Sequence, residues 1–213
     1  MGVIKNRFSN KYFRVTIFGS ARIKKGDIVY KEVEALAELL GKKEIDVVTG
    51  GGPGLMEAGV QGHKKGDPKR KSRSIGLTIK LPHEQRDAKG MDYVKRFRRF
   101  SRRLDNFMKY SNVIVVAEGG VGTLLELFYA WQLVQVGHVC NTPIILLGKQ
   151  WPPLIKWFKG YPMKHKYFTE QELELLYYAK DYKDAMEIID ITHKKFKEGD
   201  KDFCLNYKKY KLT

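Results

Sequence analysis

The most regular feature of the chain is a series of short, unbroken apolar runs, each ending at glycine or polar turn residues. Phe13–Phe18 (FRVTIF) is a β-branched and aromatic run that stops at Gly19-Ser20, the form of a buried strand meeting a tight turn. Ile45–Thr49, Ser74–Ile79, Val113–Ala117, Ile144–Leu147 and Leu175–Ala179 read in the same way. Val113–Ala117 (VIVVA) has no polar alternation, which suits a parallel strand covered on both faces. Helical spacing fills the intervals. After Asp27, a candidate N-cap, Val29, Val33, Leu36, Ala37 and Leu40 recur every three or four residues as far as Gly41. Further helices are predicted over Leu55–Lys65, Ser101–Tyr110, Leu124 to about Val136 and Asp184–Phe196, with short ones at Leu154–Phe158 and Glu170–Glu174. Strands alternating with helices predict an α/β fold: a single-domain, Rossmann-like doubly wound parallel sheet flanked by helices. The domain is expected over residues 13–197, between a basic extension (1–12) and a lysine-rich tail (198–213).

Two strand-to-helix turns are rich in glycine, Gly50-Gly51-Gly52-Pro53-Gly54 after Thr49 and Gly119-Gly120-Val121-Gly122-Thr123 after Glu118. In an open parallel sheet both must lie beyond the carboxyl ends of the strands, where ligands bind. Glycine allows positive φ and close approach, and the helix that follows offers unpaired N–H groups to an anion, so phosphate is the simplest fit. One such turn is as readily a bare connection; two at one sheet edge favour a site. Neither turn has the dinucleotide G-x-G-x-x-G pattern followed by an acid, nor the Walker lysine, which argues against NAD and ATP in these turns. Glu126, three residues after Thr123, falls on the same helix face and is directed back toward the turn. It reads either as a dipole-stabilising surface residue or as a carboxylate addressing a sugar, a water or a developing cation.

Charge adds a polyanion preference without choosing the ligand. The 40 basic and 24 acidic residues give +16, concentrated in Lys64–Arg73, Lys95–Arg103 and the segment after His193. Each run reads first as a solvated face. No apolar stretch approaches the ~20 residues of a membrane span, and the N-terminal residues lack a signal-peptide core, so no membrane is expected and the cytoplasm is. Cys140 and Cys204 are too few for a disulfide framework or a zinc site, and His63, His83, His138, His165 and His193 show no ligand-like spacing, so no metal site is expected.

The motifs Phe18-Gly19-Ser20-Ala21-Arg22, Thr49-Gly50-Gly51-Gly52-Pro53-Gly54-Leu55-Met56-Glu57-Ala58, Ile75–Gln85 and Gly119-Gly120-Val121-Gly122-Thr123-Leu124-Leu125-Glu126 occur in an order that resembles the LOG (Lonely Guy) family. These are cytokinin-activating proteins and their bacterial and archaeal relatives, often labelled lysine decarboxylases. The resemblance implies a phosphoribohydrolase that cleaves the N-glycosidic bond of AMP-like nucleoside monophosphates, without a cofactor, as a homodimer. It matches the family's glutamate to Glu126 and its arginine to Arg103; the residues alone would leave Arg103 no better placed than Arg98, Arg99 or Arg102. Gly19, Ser20, Gly50, Gly51, Gly52 and Gly54 are then expected to line the nucleotide site, and Gly119, Gly120, Val121, Gly122 and Thr123 to hold its phosphate. The chain departs from the family at Glu118, where a proline is usual, and at Leu104, where a lysine commonly follows the arginine. Two other readings stand beside this one. The first is a non-catalytic carrier like the molybdenum-cofactor carriers; the second, a nucleic-acid binder, rests on the charge and on a likeness to the DNA-processing protein of natural transformation. Lysine decarboxylation would need a lysine in a recognisable pyridoxal phosphate context, and none is found.

Overall fold

The computed structural model describes residues 12–80, 86–139 and 142–199. Most of the two terminal extensions, the end of the Ile75–Gln85 motif and both cysteines lie outside the described residues. Seven strands are described: β1 Arg14–Phe18, β2 Asp46–Thr49, β3 Ser74–Ile79, β4 Tyr93–Phe97, β5 Val113–Val116, β6 Ile144–Leu147 and β7 Leu176–Ala179. They form one sheet in the order β4-β3-β2-β1-β5-β6-β7, every pair parallel. The helices are α1 Ile28–Lys42, α2 Leu55–Gly66, α3 Phe100–Tyr110, α4 Val121–Gln135, α5 Trp151–Gly160, α6 Glu170–Leu173 and α7 Tyr182–Lys197. The doubly wound parallel architecture is therefore the observed one. The strand order reverses between β1 and β5, which puts the switch point between the two glycine turns.

Alternate residues of each central strand supply the two halves of the core. Val113 and Val115 pack on one face with Val15, Ile17 and Val47, against Leu36 and Leu40 of α1 and Ile189 of α7. Ile114 and Val116 pack on the other with Phe18 and Leu77, against Phe107 of α3, Leu127 and Trp131 of α4 and Trp151 of α5. With both faces covered, the strands need continuous apolar sequence. This same packing claims Leu127, Trp131 and Val134 of α4, whereas Phe128 is 40% exposed.

Strand β4 was not expected from the sequence. Its Tyr-Val-Lys-Arg-Phe pairs with β3 from Ile75↔Tyr93 to Ile79↔Phe97, at the sheet edge, where charged residues guard against further pairing. Helix starts also differ. Asp27 holds the N-cap position of α1 in extended conformation, but its carboxylate accepts from the Lys24 N–H (2.8 Å) and caps nothing in the helix. Asp181 does cap α7, accepting from Lys183 N–H (2.9 Å) and Asp184 N–H (3.1 Å), so the helix begins at Tyr182 rather than Asp184. Helix α4 begins at Val121, immediately after Gly120, and not at Leu124.

A buried polar cluster fixes the return from α2 to β3. His63 is 2% exposed; its Nε2 lies 2.9 Å from the Ile45 carbonyl and 3.0 Å from Ser72 Oγ, and its Nδ1 lies 2.8 Å from Ser74 Oγ. Ser72 Oγ donates to Asp67 (2.8 Å), which leaves its oxygen to accept from Nε2–H and makes the neutral Nε2–H imidazole the form that satisfies every partner. Burial holds this imidazole below the ordinary histidine range. The folded state therefore binds fewer protons than the unfolded one as pH drops through about 6.5, and stability falls in that direction, by at most about 1.4 kcal/mol per pH unit from this group. Urea unfolding at about pH 7.5 and 5.5 should show the loss. His63→Gln should be less stable at the higher pH by roughly 1–3 kcal/mol and show a flatter pH dependence; an unaltered slope would remove His63 as its source.

Candidate functional site

The loop after β1 is the centre of the carboxyl edge. Its Ser20 N–H donates to the Glu118 carbonyl (3.1 Å), beside the second glycine turn, and its Ser20 carbonyl accepts from Leu55 N–H (2.9 Å), at the end of the first. Gly54 makes this approach feasible: it has φ +69°, and a side-chain carbon there would stand 2.6 Å from the Ala21 carbonyl carbon. The result is a cleft of about 440 Å3 across the switch point, within the size range of small-molecule sites. Gly19, Ser20, Gly50, Gly52, Gly120, Val121, Gly122, Thr123, Arg103 and Glu126 all line it. Gly51, Gly54 and Gly119 are not among its lining residues; Gly54 lines a neighbouring cleft. Gly51, at φ +70°, passes close to Thr78, and Gly119 leaves room for the Thr123 side chain.

The second turn presents free donors. The first intrahelical bond of α4 runs from Leu124 N–H to the Gly120 carbonyl (3.0 Å), so the N–H groups of Val121, Gly122 and Thr123 precede it and have no helical partner. Gly120 and Gly122 have open space where a side chain would be. Glu126 is one turn further along α4. Its Oε1 lies 3.3 Å from an Arg103 guanidinium nitrogen, and the two side chains are only 12% and 10% exposed. Arg103 is held independently: Nε donates to the Leu77 carbonyl (2.6 Å), and the guanidinium lies 5.0 Å from the Phe107 ring centroid. Burial pushes the Glu126 carboxyl up to about 7, and the Arg103 cation opposes that rise only in part. Burial also lowers Arg103 from its ordinary value, but a guanidinium remains charged at neutral pH. The cleft thus contains a fixed cation, a carboxyl poised between its two forms, and a row of backbone donors.

Comparison with known proteins places the chain in a family. Residues 47–189 match the family described as "possible lysine decarboxylase", the same LOG-like family that the motifs resemble. The chain belongs to this family. A pyrimidine/purine nucleotide 5'-monophosphate nucleosidase of Escherichia coli (strain K12) is 29% identical over 119 residues, covering 54% of the chain. The chain spans about a quarter (26%) of that relative's length. Among solved structures, the molybdenum cofactor binding protein of the phototrophic bacterium Rippkaea orientalis has a TM-score of 0.58 at 22% identity, with 85% of the chain and 98% of that protein covered. The Moco carrier protein of Chlamydomonas reinhardtii has a TM-score of 0.60 at 21% identity, with 87% and 99% covered. At these identities the likeness establishes the fold.

Both departures from the family pattern have a structural account. The Glu118 side chain turns away from the cleft and accepts from the Lys149 N–H (2.8 Å), lying against Gly148. Leu104 is 6% exposed beside Arg103 on α3. Gln150, which the sequence reading missed, clamps the second turn from behind. Its Oε1 accepts from Gly119 N–H and its amide donates to the Gly119 carbonyl, both at 2.8 Å. Nothing local could reveal this, because the partners are 31 residues apart. Arg103 did carry a readable signal. It shares the buried face of α3 with Leu104, Phe107 and Met108, so helical spacing places an arginine at a core position.

Gly54→Ala tests whether the stitched turns are needed. The strained backbone alone should cost about 1–3 kcal/mol, and collision with Ala21 should add to it. Denaturant unfolding should show that loss, whereas Gly122→Ala, in open space, should be much closer to wild type in stability.

Proposed function

We propose that this protein is a nucleoside 5′-monophosphate phosphoribohydrolase: with water it cleaves the N-glycosidic bond, releasing the free base and ribose 5-phosphate. The observation that carries this reading is the largely buried Glu126–Arg103 pair, 3.3 Å apart, in the same cleft as the open N-terminus of α4. Membership of the family and the stretch of likeness to a nucleotide nucleosidase support it. The 5′-phosphate would sit on the Gly120–Thr123 turn, where unpaired N–H groups and the helix dipole favour an anion. That anchoring brings C1′ of the ribose toward Glu126.

Breaking the bond between C1′ and the base nitrogen builds positive charge on the ribose, as in glycoside hydrolysis. The ionised Glu126 carboxylate stabilises that charge and orients the incoming water. The water oxygen bonds to C1′, the bonding pair leaves with the base, and a proton from the water ends on the departing nitrogen. Arg103, immobilised by Leu77 and Phe107, positions a phosphate or ribose oxygen. Binding alone calls only for the glycine turns, whereas a largely buried carboxylate in the same cleft as the α4 donors suits hydrolysis, which is why the hydrolase is preferred to the molybdenum-cofactor carrier.

Chromatographic assay of base release from AMP, GMP, CMP and UMP tests the reading. Glu126→Gln should suppress release by roughly 10²–10⁴-fold while nucleotide binding persists. Because the reactive form is the carboxylate, wild-type turnover should climb with pH through about 7, the value to which burial raises Glu126, and then level off. Full turnover by the Gln variant would overturn the role of Glu126. Tight nucleotide binding with no base released from any of the four would favour the carrier.

A further inference from the structure

A second cleft lies across the Gly54 turn from the first. At about 900 Å3 it is roughly twice as large as the proposed hydrolytic cleft. Ala21 and Arg22 line both, so the β1–α1 loop is the wall between them. Within the second cleft, Arg22, Lys24 and Lys25 are exposed and make no ion pair among the described residues. Lys65 and Arg86 add two more cations, each already paired, with Glu38 at 2.6 Å and Glu57 at 3.3 Å. The lining is not uniformly basic: the carboxylates of Glu34 and Glu57 and the amide of Gln61 supply hydrogen-bond acceptors, and the buried Tyr30 forms an aromatic wall.

This division of chemistry points to a ligand with two ends. Three cations on one short loop, with no ion pair among the described residues, suit a chain of phosphates better than a single phosphate. The acceptor groups, which α1 and α2 contribute to the lining, suit hydroxyl or amino groups, which an inorganic anion lacks. We propose that this cleft is a second ligand site, separate from the hydrolytic one, for a nucleotide bearing a polyphosphate chain. Its phosphates would engage Arg22, Lys24 and Lys25, and its sugar or base would engage Glu34, Glu57 and Gln61. The assignment against ATP in the glycine turns is unaffected, since this site uses neither turn as a phosphate cradle.

Titration calorimetry of the full chain carrying Glu126→Gln, so that AMP is not consumed, tests this at near-physiological salt. ATP should bind at one saturable site and still bind when AMP is saturating; inorganic tripolyphosphate should bind more weakly than ATP. The double variant Lys24→Glu/Lys25→Glu should lose at least about tenfold in ATP affinity, or about 1.4 kcal/mol, with AMP affinity unchanged. The double variant Lys194→Glu/Lys195→Glu on α7, with the same charge change, should lose far less. Displacement of ATP by AMP, equal losses in the two double variants, or no saturable ATP binding at millimolar concentration would overturn the site. Tripolyphosphate binding as tightly as ATP would overturn its assignment to a nucleotide. Should the Glu variant fail to fold by its melting curve, Lys24→Gln/Lys25→Gln replaces it with the same expectation. These binding readouts do not depend on the hydrolase reading, which fails separately if the wild-type chain releases no base.

Discussion

The carboxyl edge of the sheet depends on the backbone of one residue. Ser20 uses its N–H on Glu118 and its carbonyl on Leu55, so the loops after β1, β2 and β5 are held in one arrangement. Two glycine turns at the ends of β2 and β5, the strands on either side of β1, would otherwise be independent loops, each free to open toward solvent. Bound to a common residue, they face each other across the switch point, and their separation is set by hydrogen bonds of about 3 Å. The positive φ of Gly54 follows from this constraint, since no side chain fits between its backbone and the Ser20–Ala21 segment.

The Arg103–Glu126 pair lies in the cleft at that edge and is held there at an electrostatic cost. Burying both charges costs solvation, and their mutual attraction returns only part of it, which is why burial drives the carboxyl up and the guanidinium down even though they adjoin. Arg103 is kept by bonds that do not involve Glu126, through Leu77 and the Phe107 ring. The carboxyl is the less secured partner. A ligand bringing a cationic centre to Glu126 would favour its ionised form, while a phosphate on the Val121–Thr123 donors would oppose it. Charge on a ligand would thus shift the protonation state of the group, and the oxocarbenium-like ribose of the proposed reaction has the sign that favours the carboxylate.

Much of this was legible in the chain because burial on both faces imposes unbroken apolar strands, and glycine marks where they end. Six strands, both turns and the position of Glu126 follow from that logic. Strand β4 escaped it because an edge strand is half-solvated; Lys95 and Arg96 disguise it as part of a charged run. Asp27 shows the converse, a residue of the right type at the right position whose carboxylate is taken by a local turn. The Gln150 clamp and the Ser20 stitches were invisible because they join distant segments, and such bonds have no periodicity.

Glu118 shows how a departure from a family pattern is absorbed. A proline at this position would restrict the entry to the turn by its ring. Glu118 lacks that restriction, yet its neighbour Gly119 is fixed at both backbone groups by Gln150, and its own carboxylate is fixed by Lys149 N–H. Three hydrogen bonds from the loop after β6 therefore take over what a ring would do covalently. The same bonds carry the negative charge away from the α4 N-terminus, where it would compete with a bound anion. They leave the donors of Val121, Gly122 and Thr123 facing the cleft, so the substitution changes how the turn is braced while leaving its surface intact.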